Sequence, residues 1–198
     1  MMLVLASQSA ARRAMLNAAG VPHEALPAHV DEEAITAGLM AEGATPLRIA
    51  DALAEVKALK ISRQHPGALV LGADSVAVAQ DGNLLNKPET RARAETQLRS
   101  LSGASHQLIS AAVICEGGQP VWRAHGAAKL AMRRLSDRFL ADYLDREGDA
   151  VLGCVGCYRI EGLGAQLFSR IDGDQFSIRG LPLLAVLDYL RARGVLPS

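Results

Sequence analysis

Apolar and polar residues along the chain form short strand-like runs separated by longer helix-like stripes. The apolar run 3–5 predicts a buried strand, and the segment from about Arg12 to Gly20 predicts the first helix. The turn pairs Asp81-Gly82 and Gly117-Gly118 predict hairpins. Further strands are predicted at 68–71, 76–79, 105–115 and 121–132, and further helices at 46–60, 89–101, 136–148 and 183–194. Strands and helices that mix along the chain in this way predict an α/β fold with a mixed sheet.

Two of these segments carry polar residues in apolar surroundings. The helix at 46–60 begins with Thr45 as its N-cap, and Lys57 lies at the edge of its apolar stripe, which we predict to consist of Ile49, Leu53, Val56 and Lys60. Asp74 stands between two apolar runs, and a buried carboxylate is costly unless it is paired, hydrogen-bonded or bound to a metal. A turn or capping role for Asp74 is the alternative, since Gly72 precedes it and Ser75 follows it.

Composition excludes several classes of protein. Lys plus Arg and Asp plus Glu both number 21, and a zero net charge argues against binding to a nucleic-acid polymer. No apolar run reaches the roughly 18 residues of a membrane span. The chain shows no signal-peptide pattern, and three cysteines do not make a disulfide framework, so we expect a cytoplasmic protein.

The joint between the first strand and the first helix is a candidate anion site. Ser7 and Ser9 lie where the helix would begin, and Arg12 and Arg13 lie in its first turn. A helix N-terminus offers N–H donors to an anion, and guanidinium groups bind phosphate bidentately. An ordinary N-cap followed by solvated arginines is the alternative interpretation.

Other charged residues occupy similar positions near the ends of predicted elements. Lys87 follows a strand, Glu32 belongs to an acidic cluster, and Glu161 lies between Ile160 and Gly162. The acidic cluster is either a solvated loop or helix start, or a site for a hard metal ion. Cations together with carboxylates that hold Mg²⁺ are what hydrolysis of a nucleoside triphosphate requires, and they would suit other phosphoesters as well.

Cys154 and Cys157 form a single C-x-x-C pair. Zinc would require two more ligands, and a thioredoxin-like role would place the pair just before a helix. We interpret these residues as buried free thiols, with a redox protein as the alternative. His106 and His125 lack metal-ligand spacing and are interpreted as surface or strand histidines.

From about residue 3 to residue 190, the chain resembles the Maf family of nucleoside triphosphate pyrophosphatases. The resemblance rests on these segments: 5–13 (LASQSAARR, against the family's S-x-S-P-x-R-R), 30–32 (VDE, against V-[DE]-E), 53–58 (LAEVKA, the helix with its lysine), 72–75 (GADS, against G-[AS]-D-[TQ]), 87–88 (KP), 101–103 (LSG) and 180–182 (GLP). One departure is Ala10, which stands where the family has proline.

The resemblance implies an elongated mixed sheet flanked by helices around a central nucleotide-binding cleft. It implies one domain, residues 1–198, with two lobes around that cleft. The reaction would cleave the bond between the α and β phosphates, with Asp74 accepting a proton from the attacking water. Glu32 and Asp74 would hold a divalent cation, Mg²⁺ or Mn²⁺, and the triphosphate would be bound by Ser7, Ser9, Arg12, Arg13, Lys57 and Lys87. Family members often form homodimers, and the family is also associated with inhibition of septum formation.

Three positions bear on the choice of nucleotide. Ala11 stands where the dTTP/UTP-directed subgroup has arginine and the 7-methyl-GTP-directed subgroup has tryptophan, and Ser75 replaces threonine or glutamine. Glu161 resembles the 7-methyl-GTP subgroup, as do Cys154 and Arg159. Because a carboxylate accepts from the N1–H and N2–H₂ edge of guanine, we expect a modified purine nucleotide such as 7-methyl-GTP, with dTTP or UTP as the alternative.

Overall fold

The structure is a computed structural model that describes residues 2–197. Its strands are β1 (Leu3–Leu5), β2 (His23–Ala25), β3 (Leu69–Val78), β4 (Leu84–Leu85), β5 (Ser105–Glu116), β6 (Gln119–Met132) and β7 (Phe168–Asp172). Within the described residues these seven strands form one sheet in the order β2-β1-β3-β5-β6-β7, and β4 pairs with β3. β1 lies parallel to β2 and β3, whereas β3–β4 and β6–β7 are antiparallel. The predicted α/β fold with a mixed sheet is therefore confirmed.

The helices begin where the sequence offers capping hydroxyls or carboxylates. Thr45 Oγ1 accepts a hydrogen bond from the Arg48 N–H (3.3 Å), as predicted, and Ser136 Oγ accepts one from the Phe139 N–H (3.2 Å). The helices are α1 (Ala10–Ala18), α2 (Glu32–Ala41), α3 (Pro46–Ser62), α4 (Arg91–Leu101), α5 (Asp137–Glu147), α6 (Gln175–Ile178) and α7 (Leu183–Ala192), with 3₁₀ turns at Gly148–Val151 and Leu163–Leu167. Not one of these helices is both long and apolar enough to span a lipid bilayer, within residues 2–197.

The chain divides into two compact units, each with its own core. The first unit comprises Met1–Ser75, Ile109–Gly126 and Gly180–Ser198, and the second comprises Val76–Leu108 and Ala127–Arg179. Fully buried side chains of the first unit include Leu5, Leu16, Ile49 and Leu71. Those of the second unit include Leu98, Leu130, Tyr143 and Leu167. The single domain with two lobes around one cleft remains a prediction.

Helix α3 corrects one of the sequence predictions. Val56, which we predicted to be buried, is 36% exposed, whereas Lys57 is only 7% exposed. The buried face consists of Ile49, Ala50, Leu53, Ala54, Lys57, Ala58, Ile61 and Ser62. Alanine fills much of this face because α3 packs closely against β3, and a stripe drawn through the largest apolar residues misses it.

Strand β3 and helix α7 bring two smaller corrections. β3 runs unbroken through residues that we predicted as two strands, so Asp74 lies in mid-strand and not in a turn or cap. In α7, the apolar pattern of the helix predicts that Leu183 and Leu184 are both buried, but Leu184 is 61% exposed, while Leu183, Val186 and Leu190 form the buried side.

Candidate functional site

The first unit contains the predicted anion site at the start of α1. Ser9 is the N-cap, and its Oγ accepts a hydrogen bond from the Arg12 N–H (3.3 Å). The Ser9 N–H in turn donates to Ser7 Oγ (3.2 Å). Both serines therefore support the turn that leads from β1 into α1, which is the capping role that we kept as the alternative interpretation.

Arg12 is buried, and neutral oxygens hold its guanidinium group. Nε donates to the Gly180 carbonyl oxygen (2.7 Å), Nη1 to Ser7 Oγ (3.3 Å) and Nη2 to Ser75 Oγ (3.3 Å). Burial lowers the pKa of Arg12, while the charges of Asp74 and Glu32 oppose that shift. Arg13, its neighbour in the sequence, is exposed. The two arginines are thus not equivalent, and Arg12 is the one built into the fold.

Lys57 lies between two carboxylates of the same unit. Its Nζ is 2.5 Å from Asp74 Oδ1 and 2.7 Å from Glu32 Oε1. The Lys57 and Asp74 side chains are each 9% exposed, and that of Glu32 is 40% exposed. A buried ammonium is tolerated here because two carboxylates compensate its charge. Three charged residues that we singled out separately therefore form one cluster.

Glycine at position 72 explains how α3 and β3 bring Lys57 and Asp74 together. A Cβ atom at Gly72 would lie 2.1 Å from the Ala54 carbonyl oxygen and 2.8 Å from the Ala58 backbone nitrogen. Only glycine permits so close an approach between the strand and the helix. Lys57 precedes Ala58 on α3, and Asp74 follows Gly72 by two residues on β3. The close approach thus fixes the distance between the ammonium and the carboxylate.

Glu32 owes its position to the cap of α2. Asp31 Oδ1 accepts a hydrogen bond from the Ala34 N–H (2.9 Å), and Glu32 is the first residue of the helix. The acidic cluster is therefore a helix start, and the same start turns Glu32 toward Lys57. The interpretation of this cluster as a helix start is confirmed for Asp31, and its interpretation as a site for a hard metal ion stays a prediction.

Glu32 and Asp74 supply donors that suit a hard divalent cation. Both are carboxylates, the ligand type that Mg²⁺ and Mn²⁺ prefer, and both already contact one cation, the Lys57 ammonium. Within residues 2–197 no group of three or more His, Cys, Asp and Glu side chains is arranged to hold a metal ion. Two protein carboxylates, completed by substrate phosphates and water, are the usual arrangement for Mg²⁺.

Lys87 and Glu161 belong to the second unit. Lys87 is exposed two residues after the end of β4, and Glu161 is exposed with its Oε2 3.8 Å from Arg179 Nε. The charges of both Lys87 and Glu161 act on the Cys154 thiol. Arg159, which resembles a lysine of the 7-methyl-GTP subgroup, pairs with the buried Glu147 at 2.8 Å.

The specificity candidates Ala11 and Ser75 lie in the first unit. Ala11 is half-buried in the first turn of α1, and Ser75 contacts Arg12 through its Oγ. Sequence reasoning missed two further contributors to the Arg12 environment, the Gly180 carbonyl and Ser110. Ser110 Oγ is 2.6 Å from Ser75 Oγ, and Ser110 is fully buried in β5. A hydroxyl inside an otherwise apolar strand is the signal that would have found it.

The cysteines show the properties of buried thiols. All three are free; Cys157 is buried and Cys154 half-buried. Burial raises the pKa of Cys157 to about 12 and also raises that of Cys154, so both stay protonated near neutral pH. A redox role would need reactive thiolates, which these surroundings disfavour. His106, interpreted as a surface or strand residue, is a buried strand residue whose Nε2 lies 2.8 Å from Tyr158 Oη.

The fold and the cluster define an α/β protein with a buried arginine, a lysine between two carboxylates, and oxygen donors for a cation. A sequence model described as "Maf-like protein" matches residues 2–193. The chain belongs to this family.

The similarity to known proteins extends over the whole chain. A protein of Sphingopyxis alaskensis is 53% identical over 198 residues, covering all of both chains. Another, of Roseobacter denitrificans, is 52% identical over 195 residues, or 98% of each chain. Both of these relatives are named nucleoside triphosphate pyrophosphatase. A solved structure, that of a HAM1 protein from Coxiella burnetii, has a TM-score of 0.53 at 16% identity and covers 96% of this chain and 100% of its own. That likeness concerns the fold alone.

Proposed function

We propose that this chain is a nucleoside triphosphate pyrophosphatase that hydrolyses the α–β phosphate bond and releases a nucleoside monophosphate and pyrophosphate. The observation that carries the proposal is the cluster in which Lys57 Nζ contacts both Asp74 and Glu32. The names of relatives that match along the full length support it, as do the buried cation Arg12 and the serine-capped start of α1.

The positions of the donors in the first unit support the proposed phosphate contacts. Arg12 directs three of its five N–H groups at protein oxygens, and the other two are the donors assigned to a phosphate oxygen. Ser7, Ser9, Arg13, Lys57 and Lys87 are assigned to the triphosphate as well. In this proposal Arg13 and Lys87 act from exposed positions, and their contributions fall with ionic strength more than that of Arg12.

Asp74 is the proposed proton acceptor. Lys57 donates to Oδ1 of this carboxylate, which leaves Oδ2 to take a proton from a water molecule that attacks the phosphorus. The hydrogen bond from Lys57 to Oδ1 also restrains the rotation of the carboxylate. Glu32 and Asp74 would hold the divalent cation, Mg²⁺ or Mn²⁺, which supplies Lewis-acid neutralisation of phosphate charge when bound.

Pyrophosphate release tests the proposal directly. We expect release from wild-type protein with Mg²⁺ or Mn²⁺, none with chelator, and a loss of at least about 10² in kcat for Asp74→Asn. Asp51→Asn is the matched control, since Asp51 is also a shielded carboxylate of the first unit, paired with Arg123, and takes no part in the cluster. An Asp74→Asn protein as active as Asp51→Asn would refute the assignment of the base.

The proposed substrate class is a modified purine nucleotide such as 7-methyl-GTP. Glu161 carries this part of the proposal, because a carboxylate accepts from the donor edge of guanine, whereas the glutamine of the dTTP/UTP subgroup can also donate. Relative kcat/KM values for 7-methyl-GTP, GTP, dTTP and UTP test it. A clear preference for the pyrimidines would select the alternative, a dTTP/UTP pyrophosphatase, and would leave the proposed reaction intact.

The second candidate is a nucleotide-binding regulator of septum formation without turnover. It would use the phosphate-binding cations but would not need Asp74. Nucleotide binding without pyrophosphate release, equal in wild type and Asp74→Asn, would support it. A cytoplasmic location and a homodimer stay predictions from the sequence, and size-exclusion chromatography would test the dimer.

A further inference from the structure

Arg12 of the first unit is held by a chain of hydroxyl groups that reaches into the core of the sheet. Arg12 Nη2 donates to Ser75 Oγ (3.3 Å), and Ser75 Oγ is 2.6 Å from Ser110 Oγ. Ser110 is fully buried in β5, whereas Ser75 is half-buried in β3. These hydrogen bonds therefore connect the buried strand residue Ser110 to the guanidinium group of Arg12 through one intermediate hydroxyl, that of Ser75.

From this geometry we propose that Ser110 is a positioning residue, which acts on phosphate binding through Ser75 and Arg12. This inference rests on the proposed function, because it concerns the guanidinium group assigned to the triphosphate. A hydroxyl that accepts a hydrogen bond from Arg12 must turn its own hydrogen elsewhere. Ser110 Oγ, at 2.6 Å, is the acceptor available to that hydrogen, so Ser110 fixes the orientation in which Ser75 faces Arg12.

The other contacts of Arg12 explain why this third one matters. The Gly180 carbonyl oxygen accepts from Nε and Ser7 Oγ accepts from Nη1, so these two contacts hold two of the three nitrogens of the planar group. Ser75 binds the remaining nitrogen, Nη2, and the three contacts together define the plane of the guanidinium. Bidentate binding of phosphate depends on that plane, because both N–H donors must point at the same oxyanion.

Space around Gly180 is consistent with a tightly held arginine. Gly180 has φ +98°, and a Cβ atom there would lie 3.2 Å from Ser75 Oγ and 3.3 Å from both Arg12 Nε and Nη2. A side chain at position 180 would press on the same contacts that Ser110 supports. Gly180, which leaves space, and Ser110, which supplies a hydroxyl, thus both support the contacts of Arg12.

The experiment compares Ser110→Ala with Ser62→Ala. Ser62 is a matched control, since it is also a fully buried serine of the first unit, and its Oγ accepts a hydrogen bond from the Gly118 N–H (3.0 Å). Each variant removes a fully buried serine hydroxyl that takes part in hydrogen bonding, so both should lower Tm. For Ser110→Ala we expect kcat/KM for the best nucleoside triphosphate to fall about tenfold, and Kd for inorganic triphosphate to rise by a similar factor. Ser62→Ala should leave both constants unchanged.

A second comparison separates positioning from stability. In a Ser75→Ala background, Ser110→Ala should change kcat/KM by less than about twofold, because the intermediate hydroxyl is already gone. Ser110→Thr, which keeps a hydroxyl, should retain the wild-type constants. If Ser110→Ala does not fold, Ser110→Cys takes its place, since a thiol of similar size is a weak hydrogen-bonding partner.

The outcomes separate this inference from the proposed function. Wild-type turnover with equal constants for Ser110→Ala and Ser62→Ala overturns the positioning role and leaves the enzyme in place. An effect of Ser110→Ala that persists in full in the Ser75→Ala background also overturns it. If wild type releases no pyrophosphate from any nucleotide, the proposed function fails, and titration with inorganic triphosphate still decides the role of Ser110. Wild-type protein that neither releases pyrophosphate from any nucleotide nor binds inorganic triphosphate would refute both.

Discussion

Replacing Gly72 with alanine should lower both stability and activity. The close contact between β3 and α3 at this residue packs the core and also sets the distance between Lys57 and Asp74. The new methyl carbon would lie 2.1 Å from the Ala54 carbonyl oxygen and 2.9 Å from the Ala58 Cβ atom. Ordinary carbon–oxygen contacts begin at about 3.3 Å, so α3 would have to withdraw from β3 by roughly 1 Å at this point. Backbone atoms provide the obstruction, so a change of rotamer cannot relieve it.

The size of the effect follows from that displacement. Overpacking a well-packed core costs about 1–3 kcal/mol and occasionally more, and a clash with backbone atoms of two elements belongs at the upper end. We therefore expect the free energy of unfolding to fall by about 3 kcal/mol. Lys57 sits on the displaced helix beside Ala58, and its Nζ is 2.5 Å from Asp74 Oδ1. A misplacement of about 1 Å at such a pair can reduce kcat/KM by about 10².

Urea unfolding and pyrophosphate release measure the two effects. Trp122, the single tryptophan of the sequence, lies in the first unit with Gly72 and provides the fluorescence signal. Gly67→Ala is the matched control, because a Cβ atom at Gly67 meets no atom within 4 Å and this glycine has no positive φ. If Gly72→Ala matched Gly67→Ala in both unfolding free energy and kcat/KM, the packing argument for the site would be refuted.

Three further predictions concern charge and burial. Lys57→Met should reduce kcat/KM by about 10²–10³, because it leaves Asp74 without the ammonium that orients it. Steady-state kinetics measure this effect, and Tm is measured in parallel. Burial lowers the pKa of His106 from 6.5 to about 4, so the unfolded chain takes up the proton first as the pH falls. The contribution of His106 to the free energy of unfolding is therefore fully present above pH 6.5, and up to about 3 kcal/mol is lost as the pH drops toward 4. Urea unfolding of wild type and His106→Gln across this pH range tests this prediction. If the free energy of unfolding depended on pH equally in the two proteins, the prediction would be wrong. Cys157 should react with a thiol reagent only after denaturation, since it is buried and its pKa is about 12; rapid labelling of the native protein would show otherwise.

Periodicity and turn signals predicted most of the elements, because strands and caps depend on local pattern. The first strand, the Thr45 cap and the Gly117-Gly118 turn lie where the sequence predicted them. The buried face of α3 was the failure, since Val56 is exposed and Lys57 is buried. A hydrophobic stripe assumes that the largest apolar residues face the core. Here the short distance between α3 and β3 requires small residues at the contact. A hydrophobic pattern also cannot predict that Lys57 is buried, because it counts this residue as polar.

The candidate site could be predicted as a set of residues but not as an arrangement. Arg12, Asp74 and Lys57 stood out because each is a charged residue in apolar surroundings or at the end of an element. Nothing in the sequence separates Arg12 from Arg13, and only the fold shows that one is buried while the other is exposed. The Arg12–Gly180 hydrogen bond joins residues 168 positions apart, which no local pattern contains.

The electrostatics of Arg12 connect these observations. A buried guanidinium is costly unless its charge is compensated, and here its hydrogen bonds run to neutral oxygens while Asp74 and Glu32 act on it through space. Those two carboxylates are already engaged with Lys57, so they compensate two cations between them. The two carboxylates thus balance the two cations in total charge, but Lys57 contacts them directly and Arg12 does not. In the proposed function, a phosphate oxygen would accept from the two remaining N–H groups of Arg12 and would give this buried cation an anionic partner in direct contact.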